Sequence, residues 1–332
     1  MNELRIVLVG PTRVGKTSIL TAMYDIMAKE VDSFPKEPNS DGWELQQDDP
    51  TRGRLNERRK ELKKLATGNG KIVQEMGIPG DAVVTDYKFE FTCKNEVQLA
   101  IHVTDVPGGL YVSPEKFPDY PTAKKLIQEA HVFIIVVDAV ALMERPAKNK
   151  HGVGRWHELV NEPDAIFNAY RADMRHAKDH SVLFVLAKAE TYFEKRQEEM
   201  LTALKAGYAD LLGFMRTEGV KAFACAVETV GAIRLHVIRE ENGVPVASFF
   251  RHTNAYAPRN CELPLRYALK VLLRAAVTKA KSVEDELDTV LRRLWEWVGG
   301  ETDLGPARKK RIAFEELMRT IVEKIGAGLT EL

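Results

Sequence analysis

The segment Gly10 to Thr17 constrains this chain more than any other: it reads G-P-T-R-V-G-K-T, after the apolar run Leu4, Ile6, Val7, Leu8, Val9 and before the helix-compatible stretch Ser18 to Lys29. A buried strand, a glycine-containing turn and a helix N-terminus aim successive backbone N–H groups and the positive end of a helix dipole at one point. That geometry cradles the phosphates of a nucleotide. Lys16 would add a positive charge against the β and γ phosphates, and Thr17 would offer its hydroxyl to Mg²⁺. Gly10 and Gly15 permit backbone angles and approach distances that a Cβ would obstruct. The competing reading is a chance match in an ordinary strand-to-helix turn, and the flanking strand and helix argue against it.

The chain has 332 residues, 45% hydrophobic and 29% charged. It can bury a substantial core, as one large domain with insertions or one domain plus an appendage. No apolar run is long enough to span a bilayer. The first strand starts at the N-terminus, so no signal peptide is expected. Cys93, Cys225 and Cys261 each stand alone, as reduced thiols do, rather than in a disulfide framework or a zinc site. These features predict a cytoplasmic globular protein. Lys+Arg and Asp+Glu both total 48, a balance that does not mark the whole chain as a nucleic-acid binder.

Downstream, Gln98 to Gly109 reads Q-L-A-I-H-V-T-D-V-P-G-G, a β-rich run ending in Asp105. An acid at the C-terminal end of a strand beside the P-loop strand is placed to hold Mg²⁺ from its outer shell. Gly108 completes a D-x-x-G pattern, whose glycine N–H can bond a γ-phosphate and sense its presence. A third apolar strand, Val132 to Val137, ends in Asp138. A fourth, Val182 to Leu186, runs into Ala187, Lys188, Ala189 and Glu190. A fifth, Val220 to Cys225, runs into Ala226.

This order of motifs resembles the GTPases of the translation-factor and Ras-like class. In that class the fourth segment ends in N-K-x-D or T-K-x-D and the fifth in S-A-x. The resemblance implies that the stem of Lys188 packs over a guanine, that Glu190 takes the place of the base-recognising Asp, and that the Ala226 N–H meets the guanine O6. Three departures weaken guanine recognition: the longer Glu190, Ala187 without an amide or hydroxyl, and Cys225 in place of Ser. The resemblance covers most of residues 1–280. More finely, the chain looks like the bacterial double-GTPase-type proteins, which act with partner proteins in conflict or defence systems.

The implied fold is α/β, a doubly wound, mostly parallel sheet with flanking helices. It would carry insertions at about 31–80, 141–160 and 232–258, with a C-terminal helical extension over 281–332. The implied cofactors are GTP or GDP and Mg²⁺. Candidate nucleotide contacts in the loop are Gly10, Thr12, Arg13, Val14, Gly15, Lys16, Thr17 and Ser18. Elsewhere they are Asp105, Gly108, Lys188, Glu190, Cys225 and Ala226. Thr17 and Asp105 are metal candidates. Thr85, ahead of Tyr87, Phe89 and Phe91, is the candidate first-switch threonine, with a catalytic and metal role beside Lys16, although it also fits a plain strand residue.

Several segments carry a milder reading. Arg52 to Lys64 is strongly basic and fits a solvated helix face better than a nucleic-acid or acidic-partner surface. The loop after Gly109 is broken by Pro114, Pro118 and Pro121 until Thr122 and fits a second switch. A helix begins near Asn161 with Pro163 in its first turn, and His151 and His157 fit solvent-facing histidines. Asn242-Gly243 marks a hairpin between Ala232–Ile238 and Val244–Phe250. Leu263 to Lys281 reads as the closing helix, followed by amphipathic stretches after Val283 and over Ile312 to Ile325.

Turnover should be slow. Gly109 occupies the place where Ras-like members carry a water-orienting Gln, Thr12 crowds the γ-phosphate side, and Arg13 points to solvent. The leading expectation is a GTP·Mg²⁺-dependent switch working with a protein effector or activator. The alternatives are a nucleotide-binding scaffold without turnover, and an ATPase or P-loop kinase kept open by the altered A-K-A-E.

Overall fold

A computed structural model describes residues 3–33, 43–67, 73–74, 83–93, 96–112, 117–144, 156–241, 244–278 and 328–332. In the first half of the chain the elements are β1 (Glu3–Val9), α1 (Lys16–Asp32), β2 (Trp43–Gln47), α2 (Asp49–Ala66), β3 (Val73–Gln74), β4 (Thr85–Cys93), β5 (Glu96–Asp105), α3 (Gly109–Val112), α4 (Tyr120–Gln128), β6 (Val132–Asp138) and α5 (Ala139–Met143). The rest comprises α6 (Trp156–Asn161), α7 (Pro163–Ala172), β7 (Ser181–Ala187), α8 (Gln197–Gly207), α9 (Ala209–Thr217), β8 (Ala222–Ala226), β9 (Ile233–Glu241), β10 (Val244–Arg251), α10 (Leu263–Thr278) and β11 (Thr330–Glu331).

The central sheet has eight strands in the order β11-β8-β7-β6-β1-β5-β4-β2. From β8 to β5 the strands are parallel, while β4, β2 and β11 join by antiparallel pairing. Strands buried on both faces read as continuous apolar runs, and β6 and β7 do so. Alternate residues feed opposite cores. Ile134, Val136, Leu183 and Val185 pack with α1 and α10 on one side. Phe133, Ile135, Phe184 and Leu186 pack with α4, α7, α8 and α9 on the other. This is the doubly wound, mostly parallel α/β fold. The winding reverses at β1, which lies between β5 and β6, and crevices at such a switch point, outside the carboxyl ends of the strands, are where ligands bind in open α/β sheets.

Several segments differ from their sequence reading. β2 and α2, both from the 31–80 stretch, are built into the domain. β2 forms the sheet edge against β4, with Trp43 and Leu45 buried and Glu44 exposed between them. α2 is capped by Asp48, which accepts from the Thr51 N–H at 2.9 Å, and packs on α1 through the buried Leu55. Its basic face is therefore only partly solvated, since Arg59 is held by Asp25 of α1 at 2.8 Å. α4 starts at Tyr120 rather than Thr122, because Pro121 suits a helix's first turn. A short turn of helix, α3, follows Gly108 directly.

The hairpin β9–β10 forms as read and gains β3 as a third strand, from the distant 31–80 stretch. Its Asn242-Gly243 turn lies outside the described residues. So do His151, Lys281 and the amphipathic stretches over 283–325. The last residues form a strand rather than a helix: β11 pairs with β8 through Thr330 and Ala224.

Candidate functional site

The loop from Gly10 to Gly15 leaves the carboxyl end of β1 and enters α1. Gly10 has φ +149° and Gly15 φ +104°. A Cβ on Gly10 would stand 2.7 Å from the Val136 carbonyl oxygen, so the loop lies against β6 as closely as only glycine allows. Val14 is buried in the core, whereas Thr12 and Arg13 are exposed, Arg13 with φ +70°. Ser18 is half-buried in the first turn of α1.

Lys16 is turned back over the loop. Its ammonium donates to the Gly10 and Pro11 carbonyl oxygens at 2.8 and 3.1 Å and lies 4.0 Å from Asp105 Oδ1. Thr17 Oγ1 donates to Asp105 Oδ2 at 2.9 Å. The hydroxyl and the carboxylate come from segments far apart in sequence and meet because β5 lies beside β1, with Leu8 paired to Asp105. The result is a hard, oxygen-only donor set next to an ammonium. It suits a Mg²⁺ shared with phosphate better than a metal caged by protein alone. Among the described residues no group of three His, Cys, Asp or Glu could hold a metal.

The D-x-x-G loop closes on this site. A Cβ on Gly108 would collide with the Thr12 N and stand 2.5 Å from the Pro11 carbonyl carbon, so the glycine rests directly on the P-loop backbone. At Gly109 a Cβ would lie 3.2 Å from the Phe117 ring. Thr85 is the first residue of β4 and pairs with Asp105 across the ladder. It is buried, with its Oγ1 directed at the Val83 carbonyl at 3.4 Å. The structure thus sets Thr85 beside Asp105 in the neighbouring strand, as a strand residue.

The other end of the crevice is formed by the ends of β7 and β8. Lys188 takes φ +57°, and its ammonium pairs with Asp138 Oδ2 at 2.7 Å, while Asp138 Oδ1 accepts from the Ala141 N–H. Glu190 is turned inward. Its Oε1 accepts from the Val230 N–H at 3.2 Å, and burial pushes its carboxyl up to about 7, against the opposing pull of backbone N–H groups. As placed, this acid holds the loop after β8 and does not face the crevice. Cys225 also turns away: its side chain lies in the core beneath the sheet, and burial raises its thiol well above the ordinary value. Ala226 closes β8, half-buried, in register with Leu186.

Two features escaped the sequence reading. His157 is half-buried rather than solvent-facing. It meets Asn161 at 3.0 Å and the Gly207 carbonyl at 3.4 Å, and burial lowers its pKa. Asn161, fully buried, binds both the N–H and the carbonyl of Asp138, which ties the end of α6 to the end of β6. An Asn four residues after a His at the edge of a polar loop was the only available signal.

Comparison with known proteins adds the following. Among curated protein sequences none matches. Among solved structures, the GTP-bound GTPase-like domain of Ski7 from S. cerevisiae aligns at 14% identity with a TM-score of 0.31, over 68% of this chain and 43% of that one. The chain thus spans less than half of that protein's length, and the likeness is too slight to carry an argument. The Double-GTPase 2 family model matches residues 5–233, from β1 through the P-loop, the D-x-x-G loop and the end of β8. The chain therefore belongs to the Double-GTPase 2 family.

Proposed function

We propose that this chain is a guanine-nucleotide switch that binds GTP with Mg²⁺ at the carboxyl ends of β1 and β5 and hydrolyses it slowly. The observation that carries the reading is the meeting of Thr17 and Asp105 at 2.9 Å beside the Lys16 ammonium. In this reading Thr17 ligates the metal, Asp105 orients that ligand, Lys16 neutralises the β and γ phosphates and the Gly108 N–H meets the γ-phosphate. Val14, Gly15 and Ser18 would lend backbone donors, and the Thr85 hydroxyl would turn from the Val83 carbonyl to complete the metal shell. Membership of the Double-GTPase 2 family supports guanine as the base. At that end the stem of Lys188, which follows β7, would pack over the base.

Slow turnover follows from Gly109. The position after Gly108 has no side chain to orient water, and the Phe117 ring crowds any that were added. Phosphoryl transfer depends almost wholly on positioning and charge stabilisation, so the isolated chain should turn over at about 10⁻³ s⁻¹ or slower. A protein partner supplying a polar or cationic group would then accelerate it.

Calorimetric titration with GTP and ATP across a range of Mg²⁺, followed by phosphate release, tests this. GTP binding that strengthens with Mg²⁺ in the wild type, and loses that dependence in Asp105→Asn, is expected. Metal-independent binding would remove Asp105 from its role. Tight GTP binding with no phosphate release, with or without a partner, would make the chain a nucleotide-holding scaffold.

A further inference from the structure

The acids at the carboxyl edge of the sheet are nearly all engaged. Asp105 accepts from Thr17, Asp138 holds Lys188 and the Ala141 N–H, and Glu190 holds Val230. Glu162 is the exception: among the described residues no hydrogen bond or ion pair is made by its carboxyl group. It lies between α6 and α7 with φ +44° and ψ +52°. A residue with a Cβ rarely holds that conformation, and a following proline, here Pro163, makes it rarer.

The conformation is imposed from both sides. Before it, Asn161 is fixed by two hydrogen bonds to the Asp138 backbone, at 2.7 and 3.1 Å, and by the Tyr208 hydroxyl donating to its carbonyl at 3.4 Å. After it, the Glu162 carbonyl accepts from the Ile166 N–H at 3.1 Å. Asp138 ends β6, the strand that pairs with β1 and abuts Gly10. Glu162 is thus held, half-buried, next to the residue tied to the end of β6, the strand on which the P-loop rests. The Lys16 ammonium is the one charge felt appreciably by its carboxyl, and it opposes the upward push of burial. Strain maintained at a ligand crevice by over-determined surroundings is where a functional role is sought first.

Resting on the nucleotide reading above, we propose that Glu162 supplies in part what Gly109 lacks and so sustains the slow basal rate that a partner would raise: its carboxylate orients the attacking water at the γ-phosphate and accepts its proton. The water oxygen bonds to the γ-phosphorus as the bond to the β–γ bridging oxygen breaks, and that electron pair leaves with GDP. The water proton passes to Glu162 and is released to solvent with phosphate. A carboxylate with no other partner, held against a reacting water, suits this task.

The test compares single-turnover GTP hydrolysis, GTP·Mg²⁺ affinity and melting temperature for the full chain, Glu162→Gln and Glu162→Gly. For Glu162→Gln, hydrolysis should fall on the order of 100-fold while affinity stays within about threefold, the size of a lost general base. Glu162→Gly should lose hydrolysis equally yet melt no lower than wild type, because glycine takes φ +44° without strain. Hydrolysis by Glu162→Gln within about twofold of wild type, at equal affinity, overturns the proposal and leaves the nucleotide reading intact. So does a wild type that binds GTP without hydrolysing it. Parallel losses of affinity and melting temperature in both variants overturn it in favour of a purely structural role. Failure of the wild type to bind GTP removes both readings.

Discussion

The two ends of the crevice treat their polar side chains in opposite ways. At the phosphate end Lys16, Thr17 and Asp105 turn toward one another and toward the loop backbone, and Gly108 presses the D-x-x-G segment onto the P-loop. At the base end Glu190 turns into the protein to hold Val230, and Cys225 is packed in the core. Phosphate is recognised largely by backbone geometry and by a pair of side chains that must meet, so the residues there leave little freedom. Base recognition needs only that a side chain at a strand end point outward. Position along a strand does not settle that direction.

The sharpest way to break the contrast is Lys16→Ala. Loss of the buried ammonium should lower GTP affinity on the order of 1,000-fold, about 4 kcal/mol, with an unchanged far-ultraviolet circular dichroism spectrum. Unaltered affinity in calorimetry would refute the assignment of the phosphate end.

The next effect is on stability, and it belongs to the base end. Burial raises the Glu190 carboxyl from 4.5 to about 7. Between those values the folded chain keeps a proton that the unfolded chain has released, so stability falls as pH rises through this window. Glu190→Gln cannot ionise and can still accept from Val230. Relative to wild type it should gain on the order of 3 kcal/mol between pH 4 and pH 8, read from urea unfolding at each pH. Parallel wild-type and variant curves would mean that Glu190 is not buried against its own backbone.

Gly108→Ala sharpens the phosphate end. Its methyl group would collide with Thr12 and Pro11, so about 1–3 kcal/mol of stability should be lost and triphosphate affinity with it. A variant as stable as wild type would show that the two loops lie further apart than described. The smallest effect concerns base choice: if Glu190 serves the loop, Glu190→Gln should change the ratio of GTP to ATP affinity by less than about twofold. Collapse of that ratio would return Glu190 to the role its motif position implies.

The legible parts of the sequence were those with no local alternative. The P-loop demands glycine, lysine and a hydroxyl at fixed spacing, and β6 and β7 announce themselves as unbroken apolar runs. The edge strand β2 was readable in principle from W-E-L-Q, where Trp43 and Leu45 alternate with polar residues, but the neighbouring prolines and glycines obscured it. β3 and β11 are two residues each, too short for any period to register. The strain at Glu162 could not be read either. The buried hydrogen bonds of Asn161 to Asp138 help impose it, and those join segments that the sequence leaves 23 residues apart.

The central claim is that a crevice strong at its phosphate end and altered at its base end still selects guanine. Acid extraction of the purified protein, with chromatography of the released nucleotide and of nucleotide retained after incubation with equimolar GTP and ATP, measures this directly. The account predicts GTP and GDP as the bound species. Retention of adenine nucleotides in their place, or of neither, would contradict it.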